Sequence, residues 1–135
     1  MPVLSNNPFT AVDEIIKHID VDIIVVDFHA EATAEKIAMG YYLDGRISAL
    51  YGTHTHVQTA DERILEKGTG YITDIGMTGP IESVIGMDKE VSIKRFLTSI
   101  PERYKLADGD CKLNGVIFEI DEDTNKTKKI YRINT

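Results

Sequence analysis

The sequence predicts an α/β domain: a mixed sheet flanked by helices, finished by a C-terminal hairpin. Three patterns predict it. A largely apolar run at residues 21–29 reads as a buried strand, residues 33–43 repeat apolar side chains at helical spacing, and residues 116–132 alternate as the arms of a hairpin do.

Asn7-Pro8 precedes an amphipathic stretch at 9–19, where Val12, Ile15, Ile16 and Ile19 keep helical spacing, so a first helix is expected to pack on the sheet. His18, at the end of that pattern, reads as a helix-terminal histidine bonded to the last carbonyls. The strand at 21–29 ends on His29. Residues 33–43 then place Ala34, Ile37, Ala38 and Tyr41 on one helical face, and Asp44-Gly45 supplies a stop. A second strand, 47–51, runs into Gly52-Thr53-His54-Thr55-His56. A strand, helix and strand in succession imply parallel strands joined by a right-handed crossover, which brings both histidine segments to the same sheet edge.

Further on, 70–74 reads as a short strand entering a Gly76-Met77-Thr78-Gly79-Pro80 loop of fixed backbone shape. Asp88 can cap a helix through Thr98, with Val91, Phe96 and Leu97 available for burial and Pro101 beyond its end. In the hairpin, Val116, Phe118 and Ile120 share a face, Ile130 and Arg132 belong to the returning strand, and a polar turn spans 121–129. Lys126, Lys128 and Lys129 face Asp121, Glu122 and Asp123, which makes a solvated turn rather than a basic patch. There is no internal repeat, low-complexity tract or long linker, so residues 1–135 read as a single domain.

A chain of 135 residues can bury roughly two thirds of its unfolded surface. Its net charge of −7 argues against polymeric nucleic acid and anionic membrane as partners. A small phosphodiester held by metal ions remains compatible, because the local charge of the ions outweighs the global field. The single cysteine, Cys111, excludes an internal disulfide, suits a reducing compartment, and reads as a small apolar residue in a strand or turn. Neither a secretory signal pattern nor an apolar run of bilayer length occurs, and the expected location is the cytoplasm.

The chemistry concentrates at His29, His54 and His56. Residues two apart on a strand point to one side, so His54 and His56 are expected to face one cavity. Imidazoles suit zinc, iron and manganese, and Gly52 would let the backbone come close to a ligand. The competing reading makes these histidines ordinary hydrogen-bonded residues at strand ends. Thr78 is a candidate substrate contact in its loop, with a plain turn as the alternative. Asp27, Glu31, Asp61 and Asp74 lie near these segments; their more modest role is to hold the second nitrogen of a histidine.

Val26-Asp27-Phe28-His29-Ala30-Glu31-Ala32-Thr33, the stretch from Gly52 through Asp61, and Thr73-Asp74-Ile75-Gly76-Met77-Thr78-Gly79-Pro80 together resemble the YmdB-type metallophosphoesterases, a branch of the calcineurin-like superfamily. The match runs from about Asn7 to the C-terminus. The resemblance implies a share of a metallophosphoesterase-type αββα sandwich and a dinuclear centre of divalent ions, iron or manganese with zinc as a further option. It also implies that His29 and His54 bind one ion and His56 the other. The family's first half, which carries an aspartate, a bridging acidic residue, an asparagine and a catalytic histidine, has no counterpart here. The chain therefore reads as the C-terminal half of a longer enzyme, joining that half near Met1-Pro2-Val3-Leu4, with no catalytic acid or base of its own.

Three functions follow. The first is part of a binuclear phosphodiesterase for cyclic nucleotides or similar small phosphodiesters, inactive as an isolated half. The second is a self-contained zinc hydrolase with His29, His54 and His56 on one ion and water in the fourth position. The third is a noncatalytic module that self-associates through an exposed sheet edge, and homo-oligomers are expected in either the first or the third case.

Overall fold

Asn7 and Pro8 start the first helix as their chemistry dictates. The Asn7 side chain accepts from the Phe9 amide at 2.9 Å, and Pro8, which has no amide hydrogen to leave unpaired, occupies the first turn. The computed structural model describes residues 7–135; the Met1-to-Leu4 junction lies outside them. The elements run α1 (Pro8–His18), β1 (Val25–His29), α2 (Thr33–Leu43), β2 (Ala49–Thr53), β3 (Arg63–Ile64), β4 (Gly70–Ile72), β5 (Gly79–Pro80), α3 (Lys89–Thr98), β6 (Cys111–Lys112), β7 (Asn114–Ile120) and β8 (Thr127–Asn134). His18 meets its expectation, with Nδ1 at 2.6 Å from the Glu14 carbonyl in the last turn of α1. No described helix is long and apolar enough to cross a membrane.

The main sheet has the order β1-β2-β4-β3. β1, β2 and β4 are parallel and β3 is antiparallel, a mixed sheet as expected. In register, His29 at the end of β1 lies beside Thr53 at the end of β2. Both histidine segments thus leave the sheet at its carboxyl edge. Met39, Leu43, Ile47, Leu50, Leu65 and Tyr71 form the buried core, against which α1 lays Phe9, Val12 and Ile16.

Two helical faces differ from expectation. α2 has the expected limits, but it buries Lys36, Met39, Gly40 and Leu43, while Ala34, Ala38 and Tyr41 are exposed. The reason lies in its partners. A Cβ on Gly40 would fall 2.7 Å from the Tyr71 ring, so only the glycine surface fits there, and the Lys36 ammonium finds a buried carboxylate. α3 is capped by Asp88, which accepts from the Val91 amide at 3.1 Å, yet Phe96 and Leu97 are 81% and 80% exposed. Phe96 only edges a recess lined by Val84, Ile85 and Met87, so neither side chain is buried.

β7 and β8 form the expected hairpin, with Val116, Phe118 and Ile120 half-buried on one face. The turn is shorter than expected because Thr127 already pairs with Ile120. Lys128 and Lys129 bond to Asp121 and Glu119. Lys128, with the Thr124 and Asp123 amides, holds the Asp121 carboxyl down at about 2. The hairpin is fastened to the sheet by side chains and backbone: the Thr127 hydroxyl donates to the Ser48 carbonyl at 2.7 Å, the Thr127 amide donates to the Gly68 carbonyl at 3.0 Å, and Gln58 Nε2 donates to the carbonyls of Gly115 and Ile133 at 2.9 and 3.0 Å. Cys111 is free and exposed at the start of β6.

Candidate metal centre

The parallel register that sets His29 beside Thr53 also builds the first tier of the site. His29 Nδ1 lies 3.0 Å from the Thr53 hydroxyl, which in turn donates to Asp27 Oδ1 at 3.3 Å. With its hydrogen directed at the carboxylate, the hydroxyl oxygen accepts from His29 Nδ1–H, and His29 Nε2 is left unprotonated, as an acceptor. Nε2 points at His54 Nδ1, 3.1 Å away, with the ring centroids 5.0 Å apart and the rings nearly perpendicular. Two imidazole nitrogens thus converge on one point.

The strand alternation expected for His54 and His56 does not hold, because β2 ends at Thr53. Beyond it the chain turns sharply: His54 has φ 127° and His56 φ 64°, both in the region that L side chains rarely enter. The two rings consequently part. His56 Nδ1 lies 3.1 Å from the Ile85 carbonyl, to which it donates, which frees Nε2 as the ligating nitrogen. His56 lines a recess of about 330 Å³ with Val57, Met77, Ile81, Val84 and Lys112, and His54 is absent from that lining.

The carbonyl that receives His56 sits in a strained turn. Val84 and Met87 exchange both backbone hydrogen bonds, enclosing Ile85-Gly86 as a two-residue hairpin loop with φ 48° and 99°. That loop suits Asn-Gly, whereas a β-branched residue with positive φ is costly. Ile85→Asn keeps the carbonyl and removes the strain, and is expected to stabilise the protein by about 1 kcal/mol. An unchanged or lower urea midpoint would refute this account of the turn.

Asp61 and Asp74 serve the backbone. Asp61 accepts from the Thr73 amide at 3.1 Å and from its hydroxyl at 2.5 Å. Asp74 accepts from the amides of Thr55 and Gly76, both at 2.9 Å, and from Lys36 Nζ at 3.1 Å. Burial pushes the Asp74 carboxyl upward, but those amides, the Thr55 hydroxyl and Lys36 outweigh it and hold the group below the usual aspartate value. The exposed Thr78 hydroxyl donates to the Asn114 carbonyl at 3.3 Å, and Asn114 Nδ2 donates to the Met77 carbonyl at 2.7 Å. The 76–80 loop is therefore tied to the hairpin.

Among the described residues, no group of three or more histidine, cysteine or acidic side chains is assembled to hold an ion. The donor set nonetheless suits a borderline cation at one point, where an ion would replace the hydrogen that His54 Nδ1 donates to His29 Nε2, and a third imidazole nitrogen, on His56, is set apart. Thr53, which fixes the His29 tautomer, is a site residue that the motif alone did not single out. Its signal was positional, since a residue at the end of one parallel strand lies beside the end of its neighbour.

Among known families, the one described as YmdB-like protein matches residues 1–133. A 2′,3′-cyclic-nucleotide 2′-phosphodiesterase of Bacillus subtilis (strain 168) is 55% identical over 130 residues, covering 95% of this chain and 49% of that protein. Among solved structures, a novel phosphatase from Mycoplasma pneumoniae superposes with a TM-score of 0.92 at 43% identity, over all of this chain and 49% of that one. A hypothetical protein from Thermus thermophilus also reaches 0.92, at 40% identity over 96% of this chain and 51% of that one. The chain spans about half the length of the relatives it matches.

Proposed function

Because this chain belongs to the YmdB-like family, we propose that it carries the histidine half of a metal-dependent phosphodiesterase site in a metallophosphoesterase-type αββα sandwich. The observation that carries the reading is the 3.1 Å approach of His29 Nε2 and His54 Nδ1, with the His29 tautomer fixed through Thr53 and Asp27. His29 and His54 would hold one divalent ion and His56 a second, iron or manganese in preference to zinc. Bound there, the ions would polarise a phosphoryl group and acidify a water. The chain's own contribution is to supply imidazoles, those of His29 and His56 with Nε2 left unprotonated, and to hold them at fixed points. It assigns no general base and no leaving-group acid.

The substrate is proposed to be a 2′,3′-cyclic nucleotide or a similar small phosphodiester, the class for which the Bacillus subtilis relative is named. Thr78 is proposed to reach substrate only from the rim, since its hydroxyl is already engaged. Among the described residues the outer edge of β1 has no partner strand, which favours self-association in a cytoplasmic setting.

Metal content of the chain purified without chelator, together with turnover of an aryl phosphodiester, tests this reading. Substoichiometric metal and no turnover are expected, with a mass above that of a monomer by light scattering. One tightly held zinc per chain with turnover would overturn it in favour of a mononuclear three-histidine hydrolase.

A further inference from the structure

Lys36 on α2 and Asp74 after β4 are both fully buried, with Nζ 3.1 Å from Oδ2. A buried ion pair is weak evidence for stability, because desolvating two charges offsets most of their attraction. Its placement offers another role. Lys36 Nζ also donates to the Thr53 carbonyl at 3.2 Å, while Asp74 Oδ2 accepts from the Thr55 amide at 2.9 Å. Thr53 and Thr55 are the two neighbours of His54, and His54 is the residue held at φ 127°. The pair therefore grips the chain on both sides of a strained histidine.

The anchor is itself restrained. Asp74 Oδ1 accepts from the Gly76 amide at 2.9 Å, the Asp74 amide donates to the Thr59 hydroxyl at 2.9 Å, and the Thr59 amide donates to the Asp74 carbonyl at 3.0 Å. On the other side, Lys36 sits in the middle of a helix packed on the core. A strained φ persists only where its surroundings over-determine it. Here they do so from two elements at once, and the strain falls on the ring that faces His29.

We infer that Lys36 and Asp74 are positioning residues for His54: their ion pair fixes the backbone at Thr53 and Thr55 so that His54 Nδ1 meets His29 Nε2 at a shared divalent ion. The inference rests on the metal reading of the His29–His54 pair only for the identity of the ligand. The placement of the two rings stands apart from it.

The test compares wild type with Lys36→Met, with the nearly isosteric Asp74→Asn, and with Leu43→Ala, a buried α2 residue outside the clamp. Ring-proton NOEs report the His29–His54 contact without metal, and Co2+ titration reports affinity. Lys36→Met and Asp74→Asn are expected to lose the NOE and at least about tenfold in Co2+ affinity. Leu43→Ala, though less stable, is expected to keep the NOE and an affinity within about twofold of wild type. A folded clamp variant that retains the NOE overturns the inference, as does absence of the NOE in wild type. Should neither clamp variant fold, hydrogen exchange of the Thr55 amide in wild type decides: strong protection supports the clamp, and exchange at the rate of an open loop overturns it. Failure of wild type to bind Co2+ while the NOE and the protection persist would sink the metal reading alone.

Discussion

Gly52→Ala is expected to destabilise the protein by about 3 kcal/mol or more and to separate His54 from His29, at the upper end of what overpacking costs. A Cβ at this position would lie 1.9 Å from the Thr73 carbonyl oxygen and 2.7 Å from Lys36 Cδ. The first obstacle is backbone, held by the Asp61 carboxylate through the Thr73 amide, and it cannot rotate away. The second is the stem of a fully buried lysine. Gly52 also offers its carbonyl to the Ile75 amide at 3.0 Å, so any displacement of β2 breaks the junction with the 73–76 segment. Gly115→Ala is the matched control, because its Cβ would meet nothing nearer than 3.9 Å. Urea unfolding of both, with ring-proton NOEs for the histidine contact, checks the expectation; equal midpoints would refute it.

Lys36→Met is expected to cost about 3–5 kcal/mol, the usual penalty for leaving one member of a buried ion pair without its partner. In many proteins, replacing both members with apolar residues restores the loss. Here it should not, since Asp74 also satisfies the Thr55 and Gly76 amides, and Lys36→Met/Asp74→Leu would orphan both donors at about 1–3 kcal/mol each. A double variant as stable as wild type would show that the pair is dispensable. The same carboxylate sets an acid limit. Because folding holds Asp74 below its ordinary value, its contribution is fully present above the unfolded pKa and is lost as pH falls through the folded one. Wild-type stability should therefore fall in strong acid, and Asp74→Asn should flatten that fall.

Much of the fold was legible in the residues, for reasons that also explain the failures. The limits of α2 and the stop at Asp44-Gly45 follow from local chemistry, which the sequence states directly. The buried face of α2 depends on Tyr71 and Asp74, which arrive from elsewhere in the chain, so the apolar pattern picked out Ala34, Ala38 and Tyr41 and missed Lys36. Phe96 and Leu97 show the converse, being apolar residues of a helix that stay largely exposed. β3, β5 and β6 are two residues each, too short to carry any period. The site divides the same way. His29, His54 and His56 were readable as residue types, and the shared sheet edge followed from strand-helix-strand order. The separation of His56 from His54 was not readable, because it depends on two positive φ values and on a carbonyl in the turn at Ile85.

The fastening of the hairpin bears on how the chain assembles in time. β1, α2 and β2 close on one another within a short contour, and β7 and β8 close on their own turn. Bonds that join these pieces bridge 57, 75 and 79 residues, among others, from Gln58 to Gly115 and Ile133, and from Ser48 to Thr127. Closing such loops carries the larger entropic cost and rewards the chain only after both pieces exist. Docking of a preformed hairpin is therefore expected to be the late event in folding and the first to be undone in unfolding. Residues 25–53, with His29 at the end of their first strand, would then take shape before the C-terminal third of the chain is in place.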